Sequence, residues 1–586
     1  MKPIRPYGAG AVLLVIFFAL ATVLCAQEAT PPKHTGVPQD WTQHQIVFTR
    51  DALARQPDLI DREPRILHQE MQRWQVPNFG VFQAADPLPT SVKKSGLHRD
   101  WNVNLSGRLV ADTFPAKFSF DPIAAPDCIN DYVVFGLAAP EAEGGSGTGV
   151  NANFVGFNNL YSDPIAHGGT GDGLCDQPPF TGLAVLFAYN ITTVTGGRVA
   201  TSPVLSEDGK QIAFVESIPA NAGLGIPAQA IFHVLTWTAG GSLTAAAAPT
   251  MTSVPLVGPA PTFATANDTT SSPWVDYGAD TAYVGTDNGV VYQIVGVFKS
   301  ASTLSGSPWP ITLSSNFHLS PPVLDANLGL LMVGSGNGNL YQINITPPAA
   351  VTKTLSVGDT LGGTVTTPGV LAPPVVDITN GTTFAVSAFG TNTAVLVQAD
   401  TATLGGNLIR IAEIGEGSTG GTHLILHQPA FSNAYYNDPS TGVISFCGTG
   451  TSDTTPWQYT FGFTVPVTRP IMNTTGPFTQ LSTNPADRCT GWTEFFNPNV
   501  GVSPGTDFFF FGLTGDCETI FGGGTTGCVV ALANNNGSTT VTTAPVTGGP
   551  SGVVVDNFSS AAQASSIYFT AEGLQTAYKF TQSGLQ

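Results

Sequence analysis

Residues 271–294 read SSPWVDYGADTAYVGTDNGVVYQI, and residues 319–343 read LSPPVLDANLGLLMVGSGNGNLYQI. The shared frame is Ser-Pro, an apolar strand ending in Asp, a turn, a second apolar strand ending at Gly, a Gly-centred turn, and a third strand with Tyr-Gln-Ile. Such a repeat constrains the chain tightly, because each copy must bury its apolar face on the next. Looser copies lie at 202–217 (SPVLSEDGKQIAFVES), between 371 and 400 (APPVVDITNGTTFAVSAFG, then AVLVQAD), at 428–448 (QPAFSNAYYNDPSTGVISFCG) and in the last 37 residues, from Pro550. Two divergent copies fill 128–190 and 494–534.

First strands then start near residues 131, 202, 272, 320, 372, 428, 494 and 551. A unit of roughly 45–50 residues with three clear strands and a weaker fourth is a propeller blade, and longer spacings are blades with inserted loops. The sequence predicts an all-β, eight-bladed β-propeller, with seven blades as the alternative because the units at 131 and 494 are the least regular. The last unit ends after its third strand, and the segment PAKFSF at 115–120 has no place in the first. Together they are expected to close the ring and remove two exposed sheet edges.

Charge is scarce and uneven. Charged residues make up 10% of the chain and the net charge is −19. Residues 27–100 hold nine basic and nine acidic side chains, whereas 101–586 hold ten basic against 31 acidic. Ten cations over so long a stretch cannot form the basic stripe that nucleic acid requires, and the same arithmetic disfavours an anionic membrane surface. Lys2 and Arg5 followed by the apolar run Ala11–Leu24 predict a signal peptide over 1–26, cleaved after Ala26. The mature protein is therefore expected to be secreted or periplasmic, with no stable membrane insertion. Without Cys25, six cysteines remain, and their sequential clustering predicts disulfides Cys128–Cys175, Cys447–Cys489 and Cys517–Cys528.

Residues 27–100 read as a leader and a small helical extension, and 101–586 as the propeller. The stretch Asp61–Trp74 carries a cap at Asp61, Pro64 in its first turn and an apolar stripe of Ile66, Leu67, Met71 and Trp74. It reads as a helix docked on the main domain, with a partner-binding arm as the alternative.

The Ser-Pro-x-Val-x-Asp, Tyr-Val-Gly and Gly-x-x-Tyr frame resembles the repeats of the quinoprotein-dehydrogenase-like (PQQ-like) propeller superfamily, over most of 120–583 and most specifically in the blades at 272 and 320. The block from Pro115 to Tyr161 is also similar to the opening of secreted bacterial propeller proteins. The resemblance implies an eight-bladed ring. In that superfamily, quinone-dependent alcohol dehydrogenases hold their cofactor between a Trp and a disulfide of adjacent cysteines. No two cysteines are adjacent here, the eight Trp show no fixed phase, and no Asp-x-Asp-x-Asp-Gly calcium loop is present. No cofactor and no metal is predicted.

Asp276, Asp325, Asp377 and Asp556 recur at the end of the first strand, where a carboxylate bonds turn N–H groups. The alternative reading of this repetition is a cation-favouring rim. His423 and His427, four apart in THLILHQ, share one face of a strand but lack a third ligand. His318, Arg198 and Glu494 are the charged candidates for the channel or a rim. No nucleophile elbow, zincin helix or phosphate loop occurs. The reading is an exported, monomeric binding or scaffold module, its ligand an envelope protein or a glycan held at the channel mouth or on the insertions at 138–182 and 448–493. The alternatives are a carbohydrate-active hydrolase or lyase and, less favoured, a PQQ-dependent dehydrogenase.

Overall fold

One hydroxyl locks each regular repeat. Ser271, Ser320 and Ser551 precede a first strand and accept the backbone N–H of a second-strand residue, Gly285 at 3.2 Å, Gly334 at 2.8 Å and Thr570 at 3.2 Å. Thr201 and Thr490 do the same for Val215 and Gly512 in less regular blades. The glycine that ends the second strand answers to the next blade: a Cβ on Gly285 would come 2.7 Å from Leu319 Cβ, and one on Gly334 would come 2.5 Å from Val370 Cγ1.

The computed structural model describes residues 36–40, 45–49, 63, 65, 66, 96–105, 107 and, apart from internal stretches such as 258–267, 358–368 and 417–426, residues 113–582. Residues 1–26, the expected signal peptide, and most of Asp61–Trp74 lie outside the described residues. Gly36–Gln586 forms one unit.

Eight sheets, antiparallel within each blade's own strands, form an eight-bladed propeller, and the chain is nearly all β. Blade 1 runs Ala116–Ser119, Tyr132–Gly136, Phe154–Asn158, Ala184–Tyr189. The first strands of the following blades are Val204–Leu205, Trp274–Asp276, Val323–Asp325, Val375–Asp377, Ala430–Phe431, Thr493–Asn497 and Val554–Asn557. Neighbouring first strands lie side by side, as Trp274–Asp276 does with Val323–Asp325 and Val554–Asn557 does with Ala116–Ser119, so they line the central channel. Between blades the faces are dry: Leu331, Val333 and Val376, all fully buried, belong to one cluster running through blades 3 to 5.

Two expectations need correction. The segment at 115–120 does not complete the last blade; it is the first strand of blade 1, which makes the strand at 131 the second. Closure comes from Leu97–Asn104, which pairs antiparallel with Thr576–Gln582 as the outer strand of blade 8. Its alternation supports that place, because Trp101 and Val103 point into the core while Asn102 and Asn104 stay accessible. This strand straddles the boundary drawn at residue 101. All three disulfides join the expected cysteines. Among the described residues no helix is long and apolar enough to cross a membrane.

Candidate functional site

Two short strands from ahead of the first blade lie in the central channel. Val37–Gln39 pairs antiparallel with the free inner edge of Ala116–Ser119 in blade 1, and Ile46–Val47 pairs parallel with Val375–Asp377 in blade 5. Blades 1 and 5 stand opposite each other in a ring of eight, so the two short strands lie on opposite walls of the channel. Val37, Gln39, Asp40, Gln45 and Phe48 are fully buried. Gln39 donates to Ser119 Oγ at 2.6 Å, and the Thr49 amide donates to Thr379 at 2.8 Å. Further along, the Arg65 guanidinium lies 4.5 Å above the ring of Trp274 in blade 3.

Three of the recurring aspartates are described together with their turns. Asp276 accepts from Ala279 N, Asp325 from Asn327 N and Leu328 N, and Asp377 from Thr379 N and Asn380 N, all near 3.0 Å. Asp556 stands at the seam where blade 8 meets blade 1, and there its carboxylate is 2.9 Å from Lys117 Nζ. Lys117 also reaches Ser119 Oγ at 2.5 Å and Tyr161 Oη at 3.1 Å, while the Tyr161 hydroxyl donates to Asp131. A second ammonium, Lys579, sits 2.5 Å from Asp100 on the closing strand, and Thr581 donates to the same oxygen. Burial raises the Asp131 carboxyl against the pull of Lys117, raises the Tyr161 phenol well above its ordinary range, and lowers the Lys579 ammonium against the pull of Asp100. Sequence reasoning missed this network. Its signal was a lysine inside an apolar strand, PAKFSF and TAYKFTQ, in a region with ten cations.

The insertion after Phe154–Asn158 is a latch over the same seam. Trp101 Nε1 donates to Leu160 O, the Leu174 amide donates to Gln563 of blade 8, and Cys128–Cys175 ties the loop to its own blade. His98, Asp100 and Asp163 each bring a potential metal ligand within 4.8 Å of the others. The Lys579 ammonium already supplies the positive charge there.

The remaining candidates part company. Arg198 and His318 act on one carboxylate: His318 Nδ1 lies 3.0 Å from Asp287, and Asp268 feels Asp287, His318 and Arg198. The hydrogen bond to Asp287 raises His318, and burial followed by the nearby Asp287 raises Asp268. His318 is 61% exposed, so its ring is held by one edge and offered to solvent by the other. Among the described candidates, His318 beside Asp287 is the most accessible chemistry, an imidazole able to exchange a proton or accept a ligand. Glu494 is buried on the first strand of blade 7, opposite Phe509. His427 is buried before blade 6, and His423 lies outside the described residues.

No protein-family model matches the chain, and no curated protein does. Solved propellers resemble it distantly. BamB from Moraxella catarrhalis is 11% identical with a TM-score of 0.38, over 83% of this chain and 97% of that one. The Dos1 propeller is 11% identical with a TM-score of 0.40, over 83% and 95%. The RRP9 WD40 repeats are 9% identical with a TM-score of 0.36, over 66% and 94%.

Proposed function

We propose that this chain is an exported binding or scaffold protein of the cell envelope or extracellular space, a monomer that presents its rims to an envelope protein or a glycan. The observation that carries this reading is the pair of short strands in the channel: with Val37–Gln39 and Ile46–Val47 inside the ring, recognition falls to the loops around it. Three disulfides support an oxidising compartment. The Ser-Pro frame supports kinship with the PQQ-like superfamily, without its cofactor. The exposed His318 beside Asp287 favours a carbohydrate-active hydrolase or lyase as the second reading.

The test is a thermal-shift panel on mature protein against soluble glycans, calcium, transition metals, and pyrroloquinoline quinone with calcium. A ligand at about 100 times its Kd adds about 2.7 kcal/mol. A shift with a glycan supports the binding reading, provided that no glycan product accumulates. Product formation lost in His318→Ala would replace it with the hydrolase, and a shift with the quinone would restore the dehydrogenase.

A further inference from the structure

We propose that Ser253, His233 and Glu216 of blade 2 form a nucleophilic relay, in which Ser253 Oγ attacks short acyl esters presented from solvent. The site is independent of the binding reading above. Blade 2 lays Gln211–Ile218, Gln229–Thr236 and Met251–Pro255 side by side, the last as its outer edge. His233 faces Phe214 across the first pairing and Ser253 across the second. One row of hydrogen bonds joins the three: Ser253 Oγ lies 2.9 Å from His233 Nδ1, and His233 Nε2 lies 2.9 Å from Glu216 Oε2. His233 and Glu216 are fully buried and Ser253 is exposed, so the row runs from the interior to the surface.

The surroundings of Glu216 set the direction of the row. The amides of Thr193 and Val194 donate to Oε1 at 2.9 and 3.4 Å, and the Thr193 hydroxyl donates to Oε2 at 2.5 Å. A Cβ on Gly197 would come 1.9 Å from Oε1, so that turn is cut to fit the carboxylate. With donors on both oxygens, Glu216 meets the imidazole as an acceptor, Nε2 carries the ring hydrogen, and Nδ1 turns its lone pair to the Ser253 hydroxyl. Phe214 packs beside the ring, with centroids 5.4 Å apart, and limits its rotation. A base within reach of a hydroxyl, oriented by a third group, is the arrangement that activates a serine. The ladder bonds Thr236 N to Thr250 O and Leu256 N to Ala230 O set the alternation along this edge. It turns the Ser253 amide outward beside its own hydroxyl, where it can donate to an oxygen that gains charge.

In the reaction Oγ bonds to the acyl carbon as its proton passes to His233 Nδ1, and the alcohol leaves with that proton as the carbon–oxygen bond breaks. Water then attacks the acyl-serine, and its proton returns through Nδ1 to Oγ as the acid is released. Thr252 and Pro255 are exposed beside Ser253, an open site that suits a short acyl group whose alcohol stays in solvent.

A fluorophosphonate, which phosphonylates an activated serine with loss of fluoride, tests the relay in the folded protein, and peptide mass spectrometry locates the label. Wild type should be labelled at Ser253 and should hydrolyse p-nitrophenyl acetate, and Ser253→Ala should do neither. His233→Ala should be labelled at least about 100-fold more slowly and should recover with added imidazole. Glu216→Gln presents an amide N–H to Nε2, so nitrogen NMR should find the ring hydrogen moved to Nδ1, and labelling should fall with it. A wild type that lacks either the label or the hydrolysis overturns the proposal whether or not the buried variants fold, and so does a labelling rate unchanged in His233→Ala.

Discussion

Gly334 shows how much one residue of the frame must satisfy. Its N–H is bound by Ser320, and the space a side chain would occupy is held by Val370 of the next blade. Gly334→Ala should therefore cost about 1–3 kcal/mol through overpacking, measured as a lower midpoint in urea with an unchanged slope. Asp325 carries a pH dependence. Burial lifts its carboxyl from 3.8 to about 6, so its contribution is complete below pH 3.8 and is lost as pH rises to about 6. Asp325→Asn keeps an oxygen for the Asn327 and Leu328 amides and has no charge to bury. The difference in Tm between variant and wild type should grow in the variant's favour from pH 4 to pH 7, and a constant difference would count against this account.

Among the elements, the closing strand Leu97–Asn104 depends on a buried ion pair. Lys579→Met leaves Asp100 buried without its cation and should cost about 3–5 kcal/mol by equilibrium unfolding, far more than a surface lysine would. This scale also marks how far the sequence could be read. Blades 3 and 4 were legible because Ser271, Ser320, Gly285 and Gly334 each meet a constraint inside the repeat or at the neighbouring blade. The aspartates at 276, 325 and 377 were legible for the same reason, whereas the ion pair of Asp556 was not, because its partner Lys117 lies 439 positions earlier. The closing strand was missed because it pairs with a strand 472 or more residues away, and its LHRDWNVN carries no trace of the frame. The channel strands Val37–Gln39 and Ile46–Val47 are too short for any period to show. Arg198 and His318 were singled out separately for standing out in a charge-poor domain, and their meeting around Asp268 depends on how the blades turn.

For the molecule as a whole, the two channel strands brace the opposite blades on which they pair. A cysteine pair replacing Ile46 and Val376, which face each other across the parallel pairing, should form a disulfide in the purified protein. The bridge should raise the Tm of the whole ring, and reduction should return it. A bridge that forms without changing the Tm would mean that the brace does not share in the cooperative unit.

The brace also imposes an order in time. Thr49 leaves the ribosome 330 residues before Thr379, the residue that receives its amide, and Asp100 waits 479 residues for Lys579. At about 5–20 residues per second the first of these waits lasts roughly 15–65 s. Until then the segment has no channel to enter, because the ring that forms it is still being made. The channel strands are thus made early in synthesis and are among the last parts of the ring to find their place.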